Sequence, residues 1–88
     1  MPYIKKENRP ELDNLIEPVI THLKNVPVEE QDGKINYIIT KLLKRVYPAK
    51  YFHYNRAIGV LTAILQEFYR RVVGPYEDTK IKEHGDVE

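Results

Sequence analysis

The sequence of 88 residues contains no cysteine and no tryptophan, and it has no serine either. Without cysteine there is no disulfide staple, no thiol nucleophile, no cysteine-based zinc site and no iron–sulfur cluster, a composition that fits a reducing cytoplasm. Without serine there is no serine nucleophile and no ordinary phosphate-loop ending, and Thr21, Thr40, Thr62 and Thr79 are the only aliphatic hydroxyls. Long apolar runs are missing too. The longest nearly uncharged stretch, Ala57 to Gln66, is about half of what a bilayer crossing requires. The opening MPYIKKENR has no apolar region of the secretory type. A cytoplasmic protein without a membrane span is the expectation.

What is present is 42% hydrophobic and 31% charged, with a net charge of +1 and a mean hydropathy of −0.53. That composition builds one small domain, spanning residues 1–88. A domain of this size buries only about 60 to 65% of its unfolded surface, so it leans on a staple or a partner.

The apolar period is helical throughout. Leu12, Leu15, Ile16, Val19, Ile20 and Leu23 recur at steps of three and four, which predicts a first helix over 10–25, kinked or split at Pro18. Residues 27–32 read as a connector. Ile35, Ile38, Ile39, Leu42, Leu43 and Val46 predict a second helix over 33–47, closed by Pro48. Tyr54, Ile58, Leu61, Leu65, Phe68 and Val72 alternate steps of four and three and predict a third over 53–73, stopped by Gly74 and Pro75. A short fourth helix follows over 75–84, with Gly85 as its C-terminal cap. Short connections make neighbours antiparallel, so the expected fold is all-α: an antiparallel helical bundle of three long helices and a short fourth. Its expected core is Leu15, Ile16, Val19, Leu23, Ile39, Leu42, Ile58, Leu61, Leu65 and Phe68.

MPYIK at the start, NYIIT at 36–40, YNRAIGVL at 54–61, EFYRR at 67–71 and PYEDTKIKEHGDV at 75–87 together resemble a family of short uncharacterised proteins of heat-loving microbes and phages. The resemblance implies a small helical bundle and transfers no catalytic residue.

Charge is unevenly distributed. Between Lys34 and Arg71 eight basic residues face a single acidic one, Glu67, a local balance of +7. On the second helix Lys34, Tyr37, Lys41, Lys44 and Arg45 fall opposite the isoleucines. Basic groups interleaved with aromatics can hold phosphates and stack bases, so the face of residues 34–71 is a weak nucleic-acid-binding candidate; a solvated helix face is the simpler reading. A second cluster, Arg70, Arg71, Tyr76, Glu77 and Asp78, surrounds the Gly74–Pro75 break and reads as a lock between the third and fourth helices, with an interaction or ligand site at Arg70, Arg71, Tyr76 and Asp78 as the alternative.

Glu29, Glu30, Asp32, Glu67, Glu77 and Asp78 are the candidate ligands for a magnesium-dependent nucleotide pyrophosphatase-like hydrolase. Such enzymes need carboxylates at i and i+3 or i+4 on each of two long helices, a spacing Glu67 does not have. His22, His53 and His84 show no zinc spacing, and Asn36 and Asn55, at the expected starts of the second and third helices, read as caps or as members of a buried hydrogen-bond network. The expectation is therefore a non-enzymatic interaction or accessory protein with no catalytic residue, metal or cofactor and with an unidentified protein partner. The stretch AIGVLTAIL at 57–65 has no polar face, which predicts a homodimer through Gly59, Thr62, Ala63 and Gln66.

Overall fold

A computed structural model describes residues 4–87, so the MPY of the opening motif and Glu88 lie outside the described residues. Those residues are all-helical, with no strand among them. The chain divides into two units, residues up to Val46 and residues from Tyr47 onward.

The first unit opens with a 3₁₀ turn, Lys6–Asn8, and continues into α1, Arg9–Lys24. Pro10 sits in the first turn, where its missing N–H costs nothing, and His22 and Lys24 lie at the negative end. Pro18 neither splits nor ends α1, which runs through it unbroken. Asn25 closes α1: its backbone N–H donates to the His22 carbonyl at 3.2 Å and its Nδ2 to the Thr21 carbonyl at 2.8 Å.

Helix α2 spans Val28–Val46, so the expected connector over 27–32 is in fact its first turns. The apolar period misses this start because those turns are solvated; Glu29 and Glu30 stabilise them by lying at the positive end of the helix, and the interior Gly33 is tolerated at about 1 kcal/mol. Near the connecting turn, Gln31 Nε2 donates to the Leu23 carbonyl of α1 at 3.0 Å, and Leu23, Val26, Gln31, Lys34 and Ile38 are half-buried.

The second unit is one helical path of three parts. Helix α3, Tyr51–Phe68, passes into a π turn, Tyr69–Val73, and then into α4, Gly74–His84. Gly74 and Pro75, expected to stop the third helix, do not. The Gly74 N–H reaches five residues back to the Tyr69 carbonyl, and this wider turn takes up the residue that a proline would otherwise drive into the preceding turn. Gly74 suits the place, since a Cβ there would lie 3.3 Å from the Tyr69 carbonyl oxygen. The terminus follows the sequence: Gly85, at φ 87, donates to the Ile81 carbonyl at 2.8 Å.

The expected core is where the structure departs furthest. Among the described residues the one buried apolar side chain is Ala57. Leu15, Ile16, Val19, Ile39, Leu42, Ile58, Leu61, Leu65 and Phe68 are all exposed, and Leu23 is half-buried at the turn. A helix pair or a single helical path leaves each stripe without the opposing side chains that would cover it.

Candidate functional site

Four of the expected interaction residues come together on α2. Tyr37, Lys41, Lys44 and Arg45 line an open groove of about 510 Å³ with Gly33, Asn36 and Thr40. These positions step by three and four along one helix face, so the groove has a floor and no opposing wall. Thr40 Oγ1 donates to Asn36 Oδ1 at 3.1 Å, and Lys41 Nζ stands 5.6 Å from the centre of the Tyr37 ring. Asn36 therefore bonds inside α2 and does not cap it; Asn55 likewise lies within α3. The helix beginning at Val28 moves the cap position away from Asn36, and the start at Tyr51 does the same for Asn55.

Lys34 turns away from this groove to Glu30, 3.5 Å distant. It borders a smaller hollow of about 290 Å³ with His22, Gly33, Tyr37 and Ile38, which the missing side chain of Gly33 opens. The sequence reading did not join Gly33, Asn36 and Thr40 to this face, although the same three-and-four spacing that marks the lysines marks them too.

In the second unit the polar cluster is arranged differently from the expected lock. Arg71 Nε donates to Glu67 Oε2 at 2.9 Å and Arg70 Nη2 reaches Glu67 Oε1 at 3.3 Å, all on one helix face. Tyr76 instead lies under Lys80, whose Nζ is 5.5 Å from its ring centre. The link across the π turn is made by Tyr69, whose hydroxyl donates to Glu77 Oε1 at 2.5 Å. Residues eight apart on an α-helix are about 80° out of line; the extra residue in the π turn brings these two together, which is why spacing on a regular helix did not reveal the pair. The hydrogen bond to Glu77, and then its negative charge, raise the Tyr69 pKa above the ordinary tyrosine value. Asp78, Tyr69 and Glu77 border a surface hollow of about 590 Å³ against the terminal Gly85 and Val87.

The remaining titratable groups offer little chemistry. Arg56 Nη1 donates to His53 Nδ1 at 2.8 Å while its guanidinium stacks 5.1 Å from the Tyr47 ring centre, and His84 Nε2 lies 3.6 Å from Glu83. Among the described residues no three histidine or acidic side chains are grouped to hold a metal ion. Glu67 is engaged by arginines and Glu77 by a phenol, so these two carboxylates are not arranged as a magnesium ligand pair. Among the same residues no helix is long and apolar enough to cross a membrane.

On α3 the expected dimer face is open to solvent in part. An added Cβ at Gly59 would meet nothing within 4 Å, Thr62 Oγ1 donates back to the Ile58 carbonyl at 3.0 Å, Ala63 is half-buried and Gln66 exposed.

A family model described as a domain of unknown function, DUF6899, matches residues 1–87. The chain belongs to this family. No curated protein and no solved structure matches it. Membership in DUF6899 agrees with the resemblance to short uncharacterised proteins and assigns no activity.

Proposed function

We propose that this DUF6899 chain is a small, non-enzymatic, cytoplasmic interaction or accessory protein that forms one antiparallel bundle, three long helices and a short fourth, when it associates. Its occurrence in heat-loving microbes and phages belongs to the same proposal. The observation that carries the reading is exposure: apolar stripes on α1, α2 and α3 lie open while Ala57 is the one buried apolar residue described. Apolar faces of this extent mark association surfaces. A homodimer is the expected assembly, with an unidentified protein as further partner, and the Gly59, Thr62, Ala63 and Gln66 side of α3 is one face it could use.

Phosphate release from a panel of nucleotides, with and without magnesium, tests the non-enzymatic reading. No release above buffer is expected; release that needs magnesium and disappears in Glu67→Gln would replace this reading with the hydrolase.

The α2 groove supports a second reading. Lys41, Lys44, Arg45 and the exposed Tyr37 share one face, which suits weak binding of a single-stranded nucleic acid. A salt titration against single-stranded RNA should then show a steep loss of affinity that is reduced in Lys41→Ala/Lys44→Ala. Affinity independent of salt would exclude it.

A further inference from the structure

We propose that the occupant of the α3 seam is a second copy of this chain, paired antiparallel about Ala63, an inference that rests on the association reading above and deepens it by naming the face and the orientation of the pairing. The seam is formed by Tyr54, Ile58, Leu61, Leu65 and Phe68 of α3, whose steps of four and three are those of a coiled-coil contact. With Ile64 beside it, every one of these side chains is exposed, from 36% at Leu61 to 68% at Leu65.

Three features select a second α3. Antiparallel pairing about Ala63 sets Leu61 against Leu65 of the other copy and Ile58 against Phe68, so each layer is apolar and each occurs twice by symmetry. The charges do not interfere. Between Tyr54 and Val72 the charged residues are Arg56, Glu67, Arg70 and Arg71; Arg56 lies on the side away from the seam, and Arg70 and Arg71, beyond α3 in the π turn, are both held by Glu67. Like charges are therefore not opposed.

The area is also right. Aromatic side chains contribute about 150 to 250 Å² each when fully buried and the aliphatic ones somewhat less, so covering all the exposed area of the seam and Ile64 would bury at most roughly 700 Å² per protomer. A standard stable interface takes about 800 Å² per partner. Gly59 and Ala63 lie on the opposite side, where small residues offer a second helix little apolar area.

The test uses the full chain, which has no native cysteine. Light scattering at micromolar concentration should give twice 10.4 kDa, reverting to the single mass in Leu61→Asp and remaining doubled in Ala63→Arg. Since Leu61→Asp could simply unfold the chain, oxidation of introduced thiols provides an independent reading. Mixing Ile58→Cys chains with Phe68→Cys chains should give a disulfide-linked dimer. Ile58→Cys by itself should not link, because the two thiols would be about 15 Å apart along the helix axes.

Linking of Ile58→Cys by itself would mean parallel pairing and overturn the proposal. So would a doubled mass abolished by Ala63→Arg with no link in the mixture, which moves the interface to the small-residue side. A single mass with full helical content overturns the pairing yet leaves the accessory reading standing, with the chain's own helices covering the seam; magnesium-dependent nucleotide hydrolysis overturns the accessory reading and leaves the pairing intact.

Discussion

Each unit carries a proline within its helical path, and the two accommodate it in opposite ways. Helix α1 stays helical through Pro18, and the hydrogen bond that Asn14 would accept is lost because proline has no N–H. Asn14 is exposed, where water can take its place. In the second unit the backbone itself changes. The π turn at Tyr69–Val73 widens just before Pro75, Gly74 closes it through a bond to the Tyr69 carbonyl, and the Tyr69–Glu77 pair spans the result. A proline is thus accommodated either by leaving the orphaned carbonyl to water or by an extra residue that relaxes the turn.

The contrast can be broken most severely at the α3 seam. Leu61→Ala or Leu65→Ala should lose about 2 to 5 kcal/mol if the seam is buried on association, against about 0.5 kcal/mol or less for a face that stays wet. We expect the larger loss, together with a wild-type urea midpoint that rises with protein concentration.

Next in size is Pro18→Ala. Restoring the hydrogen bond to Asn14 and removing the ring clash should stabilise the first unit by up to about 3 kcal/mol, seen as a higher urea midpoint with an unchanged slope. No gain would mean that water already satisfies that carbonyl and that the ring fits without strain.

Smaller effects come from the open glycines. Neither Gly33 nor Gly59 has anything within 4 Å of an added Cβ, so Gly33→Ala and Gly59→Ala should each gain about 0.5 to 1 kcal/mol. Gly59→Ala also sharpens the choice of interface. A gain agrees with pairing through the seam, whereas a loss would point to close helix approach on the Gly59–Ala63 side.

The smallest effect is that of Tyr69. Its raised pKa means that the folded state holds the phenolic proton more tightly than the unfolded state does. Its contribution is therefore complete below about pH 10, the unfolded tyrosine value, and fades as pH rises through the higher folded value. Following phenolate absorbance, Tyr69→Phe should remove a phenol that titrates above the ordinary tyrosine value and, the pair being exposed, change stability at neutral pH only slightly. A titration identical to that of the wild type would show that the Glu77 contact does not persist in solution.

Particular residues show where the sequence is legible and where it is not. The first helix was readable from Leu12 to Leu23 because its period is uninterrupted, and the cap at Gly85 because few other residues adopt φ 87. The start of α2 was missed because Val28 to Gly33 form helix without burying a stripe, leaving no period to detect. The α2 lysines were found from their spacing, but Asn36 was placed at a cap that moved with the helix start. The Tyr69–Glu77 pair was hidden since its spacing is meaningful only once the π turn is known.

The order of the elements was set locally: three-and-four periodicity, prolines in first turns and a terminal glycine specify helices because those preferences act over neighbouring residues. Which apolar faces are covered, and by what, is a non-local matter. Leu61 and Leu65 read as core by their pattern and stand exposed in the fold. The pattern says that a side chain gains by leaving water, while burial also requires an opposing surface at the right distance, and only the tertiary structure shows whether the chain itself supplies one.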